Sequence, residues 1–148
     1  MLRQVAPHLW VGNAGDLRDV RAVMVTGVAA VIELADSEPL ATLPRDLIRV
    51  RIPLADGAGN PAWLLHLAVQ TIVRLLQAEQ TVLVTCSAGM NRSLCVASAV
   101  IAHTKAITLD EAIHLVTNAG PTDVSPALYR DITQLLTATP PVAPETRH

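Results

Sequence analysis

The chain holds two cysteines, Cys86 and Cys95, in 148 residues. They are too few and too close in sequence for a disulfide framework, which favours a reducing compartment. Lysine is scarcer still. Lys105 is the only one, and ten arginines make up the rest of the basic residues. The net charge of −2 is small, so nothing in the global balance advertises nucleic acid or a membrane surface as a partner. No apolar run reaches transmembrane length, and the opening MLRQVAPHLW lacks an apolar core long enough for a signal peptide. His8, His66, His103, His114 and His148 are scattered, with no ligand-like cluster for a metal. These absences leave a soluble, cytoplasmic domain as the expectation.

What is present is ordinary for a compact globular protein: 51% hydrophobic and 16% charged residues. A chain of this length buries roughly two-thirds of its unfolded surface as one domain. That single domain is expected over residues 1–138, followed by a proline-rich tail, TPPVAPETRH (139–148), expected to be disordered. No internal repeat is visible.

Strand and helix patterns alternate. HLWVG (8–12) reads as a short strand, and DLRDVRAVMVTG (16–27) puts Leu17, Val20, Val23 and Met24 on one helical face with Gly27 as a stop. VAAVIELA (28–35) is a continuous apolar run, as expected of an interior strand. LIRVRIPL (47–54) alternates Ile48, Val50 and Ile52 with Arg49 and Arg51, which predicts one wet face. Asn60 and Pro61 are expected as N-cap and first turn of a helix whose stripe includes Leu64, Leu65, Ala68, Ile72 and Leu75. TVLVTC (81–86) is a second interior strand, and the helix from Arg92 is apolar nearly all round. Thr108 to Glu111 has the capping-box pattern, and SPALYRDITQLL (125–136) reads as the last helix. The fold class is α/β.

The stretch TVLVTCSAGMNRSLCV (81–96) carries the chemistry. A buried strand ends at Cys86, a loop of small residues spans Ser87 to Asn91, and a helix begins near Arg92. In that geometry successive loop N–H groups converge on one point, with the helix dipole aimed at the same place. Gly89 permits a positive φ and close approach of the backbone to a ligand. Arg92 adds a fixed fork of donors that matches two phosphate oxygens. Positive potential favours the thiolate form of a cysteine placed there. One site would then bind a dianion and activate a nucleophile.

VLVTCSAGMNRS resembles the signature of cysteine-based protein phosphatases of the protein-tyrosine phosphatase superfamily, especially the small dual-specificity type. The resemblance covers residues 4–136, including LWVGN and the strand–helix order. It implies a protein-tyrosine-phosphatase-like fold, with a central, mostly parallel (mixed) sheet flanked by helices. It implies Cys86 as nucleophile, and a phosphate site of Ser87, Ala88, Gly89, Met90, Asn91 and Arg92. Ser93 would stabilise the departing thiolate. Asp56, thirty positions before Cys86 in IPLADGAGNP, would be the general acid. No metal and no cofactor is implied. The partner is a phosphorylated protein or small phosphomonoester, hydrolysed through a phosphocysteine; oligomeric state is left open.

Several residues keep a second reading. ADG is also a plain turn signature, so Asp56 could be structural, with Asp46 and Asp123 in reserve as the acid. Cys95 reads as a buried helix residue or as a redox partner of Cys86. Arg49 and Arg51 read as a solvated strand face or as steering for an anion. Trp63 either walls the pocket or packs. Thr85 replaces the histidine common before the cysteine in the family, and Asn91 replaces the common serine or glycine before the arginine. Those departures keep open a phosphate-reading module without turnover, alongside a thiolate-based sulfur- or arsenate-handling enzyme. The loop carries no second charge, which argues for one phosphate group on the substrate. Few pocket-deepening insertions would admit phosphoserine and phosphothreonine beside phosphotyrosine.

Overall fold

In the computed structural model, which describes residues 2–36, 39, 41–87, 91–117 and 125–138, the apolar run before Cys86 forms the middle strand of a five-stranded sheet. The strands are β1 (Arg3–Ala6), β2 (Leu9–Asn13), β3 (Ala30–Glu33), β4 (Ile48–Arg51) and β5 (Val82–Cys86), in the spatial order β1-β2-β5-β3-β4. β2, β5, β3 and β4 run parallel, and β1 is antiparallel to β2. The fold is thus a mixed, mostly parallel sheet flanked by helices. Side chains alternate across β5. Val82, Val84 and Cys86 join the large core with Ile32, whereas Leu83 joins Val31, Leu17, Val23 and Val28 in a smaller one. Both faces are covered, so β5 and β3 are buried at every position.

The large core lies under α2 (Ala62–Gln77), α3 (Asn91–Lys105), α4 (Leu109–Thr117) and α5 (Pro126–Ala138). α3 is the central helix, packed on β5, β2 and the other three, and buried from Asn91 to His103. Its β-branched and hydroxyl residues are indifferent helix formers, at under about 0.7 kcal/mol each. Burying a Leu, Ile or Val contributes about 1.5–3 kcal/mol, so packing decides. The capping box before α4 forms as expected, with Glu111 N–H donating to Thr108 Oγ1 at 3.1 Å.

Three local expectations need correction. The 16–27 helix is split into a 3-10 turn (Ala14–Arg18) and α1 (Val20–Val25), because Asp19 turns its carboxylate onto Ala22 N–H at 3.1 Å and starts a new helix. Met24 is therefore exposed rather than packed. β4 is an edge strand, so Ile48 at its start is also exposed, while Arg49 is tied by two bonds to Glu33 at 2.6 and 2.9 Å. That hydrogen-bonded carboxylate raises the Arg49 pKa and commits its fork to structure. Asn60 does not cap α2. The residue before the helix is Pro61, with no side-chain cap bond, and Asn60 has another task. β1 was not foreseen, since RQVA is short and lacks alternation. The proline-rich tail, 139–148, lies outside the described residues. Among the described residues, no helix is long and apolar enough to cross a membrane.

Candidate active site

Parallel strands place their C-terminal ends at one edge of a sheet, where side chains from several loops meet. Here that edge gathers Asp36 after β3, Leu54 to Asp56 after β4, and Ser87 after β5. Asp46 precedes β4 and so lies toward the opposite edge, which removes it as a partner for Cys86. Asp123 lies outside the described residues, as do Ala88, Gly89 and Met90 of the expected phosphate loop.

Cys86 is 1% exposed. Its Sγ lies 3.2 Å from Ser93 Oγ, and Ser93 N–H donates to it at 3.4 Å. Strand end and first helical turn thus close on the same sulfur, from both sides of the loop. Arg92 is 4% exposed, and a buried cation needs partners. One terminal nitrogen donates to the Leu54 carbonyl at 2.7 Å and to Asp36 Oδ1 at 3.1 Å; the other donates to Ser87 Oγ at 2.7 Å. Loops after β3, β4 and β5 all hold this one guanidinium. It is fixed before any ligand arrives.

Asp56 is exposed at the tip of the loop after β4. Gly57 and Gly59 adopt φ values of 128° and 98°, which a side chain would resist, so the tight turn depends on both. Asn60 closes it from inside: its Oδ1 accepts from Ala55 N–H at 2.7 Å, and its Nδ2 donates to the Ala55 carbonyl at 2.8 Å. From outside, Asn91 Nδ2 donates to Asp56 Oδ1. The Asn91 side chain also accepts from Ser125 N–H, just before α5, at 2.7 Å. Cys86, Ser87, Asn91, Arg92, Ser93 and Asp56 are therefore in one connected neighbourhood. Trp63, at the start of α2, is 68% exposed, which weighs against the packing reading.

The dual specificity phosphatase, catalytic domain family matches residues 9–135. The chain belongs to this family. Dual specificity protein phosphatase Mpk3 of Drosophila melanogaster is 31% identical over 124 residues, covering 82% of this chain and 30% of the fly protein. Dual specificity protein phosphatase 8 of Mus musculus is 27% identical over 127 residues, covering 84% of this chain and 19% of the mouse protein. The chain thus spans under a third of the length of these curated relatives. Human DUSP28 shares the fold at a TM-score of 0.83 and 22% identity, over 93% of either chain. A mouse putative dual specificity phosphatase, complexed with zinc tungstate, shares it at 0.84 and 21% identity, over 93% of this chain and 87% of that one.

Against the dual-specificity phosphatase pattern, this chain's two departures land in different places. Thr85 is buried within β5, on the face opposite Cys86. Asn91 is the link between loops. Sequence reasoning missed the structural duties of Asp36, Asn60 and Ser125. Asp36 had a usable signal: a buried arginine implies an anion, and Asp36 follows a buried strand at the same sheet edge.

Cys95 sits three residues past Arg92, fully buried in the large core, where burial alone pushes its thiol up to about 12. Exchange needs a thiolate, so burial favours the helix-packing reading over the redox one. Its proton also links folding to pH. An unfolded thiol ionises near about 8.5, while the folded chain keeps the proton to about 12. Above the lower value the unfolded state binds fewer protons, so this group lowers stability as pH rises, by about 1.4 kcal/mol per pH unit. Urea unfolding between about pH 8 and 10.5 should therefore fall more steeply for wild type than for Cys95→Ala. Parallel curves would mean that Cys95 ionises as readily folded as unfolded.

Proposed function

We propose that the chain hydrolyses phosphomonoesters through a phosphocysteine, acting on proteins that carry phosphotyrosine, phosphoserine or phosphothreonine. The observation that supports this most is the pairing of a buried thiol with a buried, pre-anchored guanidinium at the end of the central strand. A thiol alone at a strand end would be core; a fixed planar cation beside it suits a tetrahedral dianion.

In the first step the Cys86 thiolate attacks phosphorus in line, an S–P bond forms and the ester P–O bond breaks. Arg92 and loop amides stabilise the equatorial oxygens. Asp56 gives its proton to the leaving oxygen. In the second step ionised Asp56 takes a proton from water, whose oxygen attacks phosphorus. The S–P bond breaks, inorganic phosphate leaves, and the Ser93 hydroxyl donates to the returning thiolate. Asp36 is a positioning residue that steadies Arg92. A phosphate-binding loop of Ser87 to Arg92, the single domain over 1–138 and a cytoplasmic location, suited to two free cysteines, complete the reading. No nucleic-acid or membrane partner is part of it.

Steady-state release of inorganic phosphate from an aryl phosphate tests this directly. Burst kinetics with one equivalent of phenol released per active site would report the covalent intermediate. Binding of phosphate without release would instead support a reading module, and turnover only on sulfur or arsenic compounds the third class.

Asp36 offers a graded check. Its side chain is 48% exposed, so solvent weakens the ion pair, and the Leu54 carbonyl still holds Arg92. Asp36→Ala should lower kcat/KM by about 3–10-fold, chiefly through KM. A fall confined to kcat would remove Asp36 from the anchoring of the phosphate site.

A further inference from the structure

We infer that Asn91 is the positioning residue for the general acid: it holds Asp56 in place and decides which carboxyl oxygen carries the proton. This rests on Asp56 being the acid. Asn91 is 7% exposed, and both ends of its carboxamide are used. The amide's orientation follows from chemistry. Ser125 N–H can only donate, so the Asn91 atom facing it must be Oδ1, and Nδ2 necessarily faces Asp56.

That polarity has a mechanistic consequence. Nδ2–H donates to Asp56 Oδ1, so this oxygen must be an acceptor in every state. When Asp56 is protonated, the proton therefore sits on Oδ2, the oxygen left for the leaving group. When Asp56 is ionised, the same bond is kept. A neutral amide thus clamps the carboxyl through both steps, where an arginine in its place would hold the ionised form and oppose its protonation. Asn91 also adjoins Arg92 in the chain, so acid and phosphate site share one rigid helix start. The carboxyl is exposed on a loop that Asn60 closes, and the Asn91 bond with its backing by Ser125 fixes its position against the phosphate. A misplacement of about 1 Å can cost about 100-fold.

The test compares wild type, Asn91→Ala, Asp56→Asn and the double variant. The substrates are a phosphotyrosine peptide, phenyl phosphate and nitrophenyl phosphate, whose leaving groups fall in basicity. Asn91→Ala should lower kcat on the two basic leaving groups by about 10–100-fold, with KM within about threefold. Its loss on nitrophenyl phosphate should be about tenfold smaller. In the double variant Asn91→Ala should add less than about twofold to Asp56→Asn, since it acts through that residue. Equal losses on all three substrates, a rise in KM and tungstate Kd, or additive losses would overturn the inference and make Asn91 a shaper of the phosphate loop. If Asp56→Asn shows no leaving-group dependence, the acid itself is misassigned, and the inference falls with it. Should Asn91→Ala fail to fold by its melting curve, Asn91→Ser, too short to span both partners, reads the same ratios.

Discussion

Cys86→Ser is expected to lose turnover by at least about 10⁴-fold while still binding tungstate close to wild type. The serine oxygen fits the space of the sulfur, so strand end, loop and α3 start are undisturbed. Arg92 keeps its bonds to Leu54, Asp36 and Ser87, none of which involves the sulfur. What disappears is the nucleophile, because an alcohol does not ionise near neutral pH. Arg92→Lys is the informative companion. A lysine is a point charge that cannot reproduce three directed bonds and a planar fork, so turnover and tungstate binding should fall together. The split in the first variant and its absence in the second separate chemistry from binding. Retained activity in Cys86→Ser would end the phosphocysteine mechanism.

Asp56→Asn is expected to cost about 10²–10⁴-fold on alkyl phosphates and phosphotyrosine, and far less on nitrophenyl phosphate. The reason is leaving-group basicity: a strongly basic oxygen cannot depart without a proton, whereas an activated phenolate can. Asparagine keeps the shape, and its carbonyl can still accept from Asn91, so the loop should stay where it is. Melting and tungstate binding are the controls for that. An equal, small loss on every ester would make Asp56 a turn residue held in place for structural reasons. Asp46 is no substitute, as it lies toward the far edge of the sheet. Asp123→Asn would be the next variant.

The strand–helix alternation was legible because β3 and β5 are buried on both faces and read as apolar runs interrupted only by Glu33 and Thr85. The chemistry around Cys86 was legible because residues 86 to 93 are contiguous, so spacing alone brings sulfur, loop and arginine together. Asp36 and Ser125 were not, since each reaches the site through strand order or helix packing. Asp36 is fifty-six positions from Arg92. Asn60 misled for a local reason. An asparagine before Pro61 has the pattern of a cap, but two glycines let the chain double back, and Ala55 becomes its partner. Asp19 misled in the same way, its short carboxylate breaking a periodic pattern that hydrophobicity alone would continue.

The unequal embedding of the two halves of the site bears on how such a protein can change over generations. Sulfur and arginine belong to the central strand and the most enclosed helix, so most substitutions around them threaten folding before they tune reactivity. The carboxyl is held at the surface by the Asn91 amide, on a loop that Asn60 closes, and substitutions within that loop leave the core untouched. Lineages of this build can drift readily toward slow or silent phosphate binders by loosening the acid, and regain speed by the same few steps. Losing the anion cradle takes more, because Arg92 is buried and bonded to three loops at once.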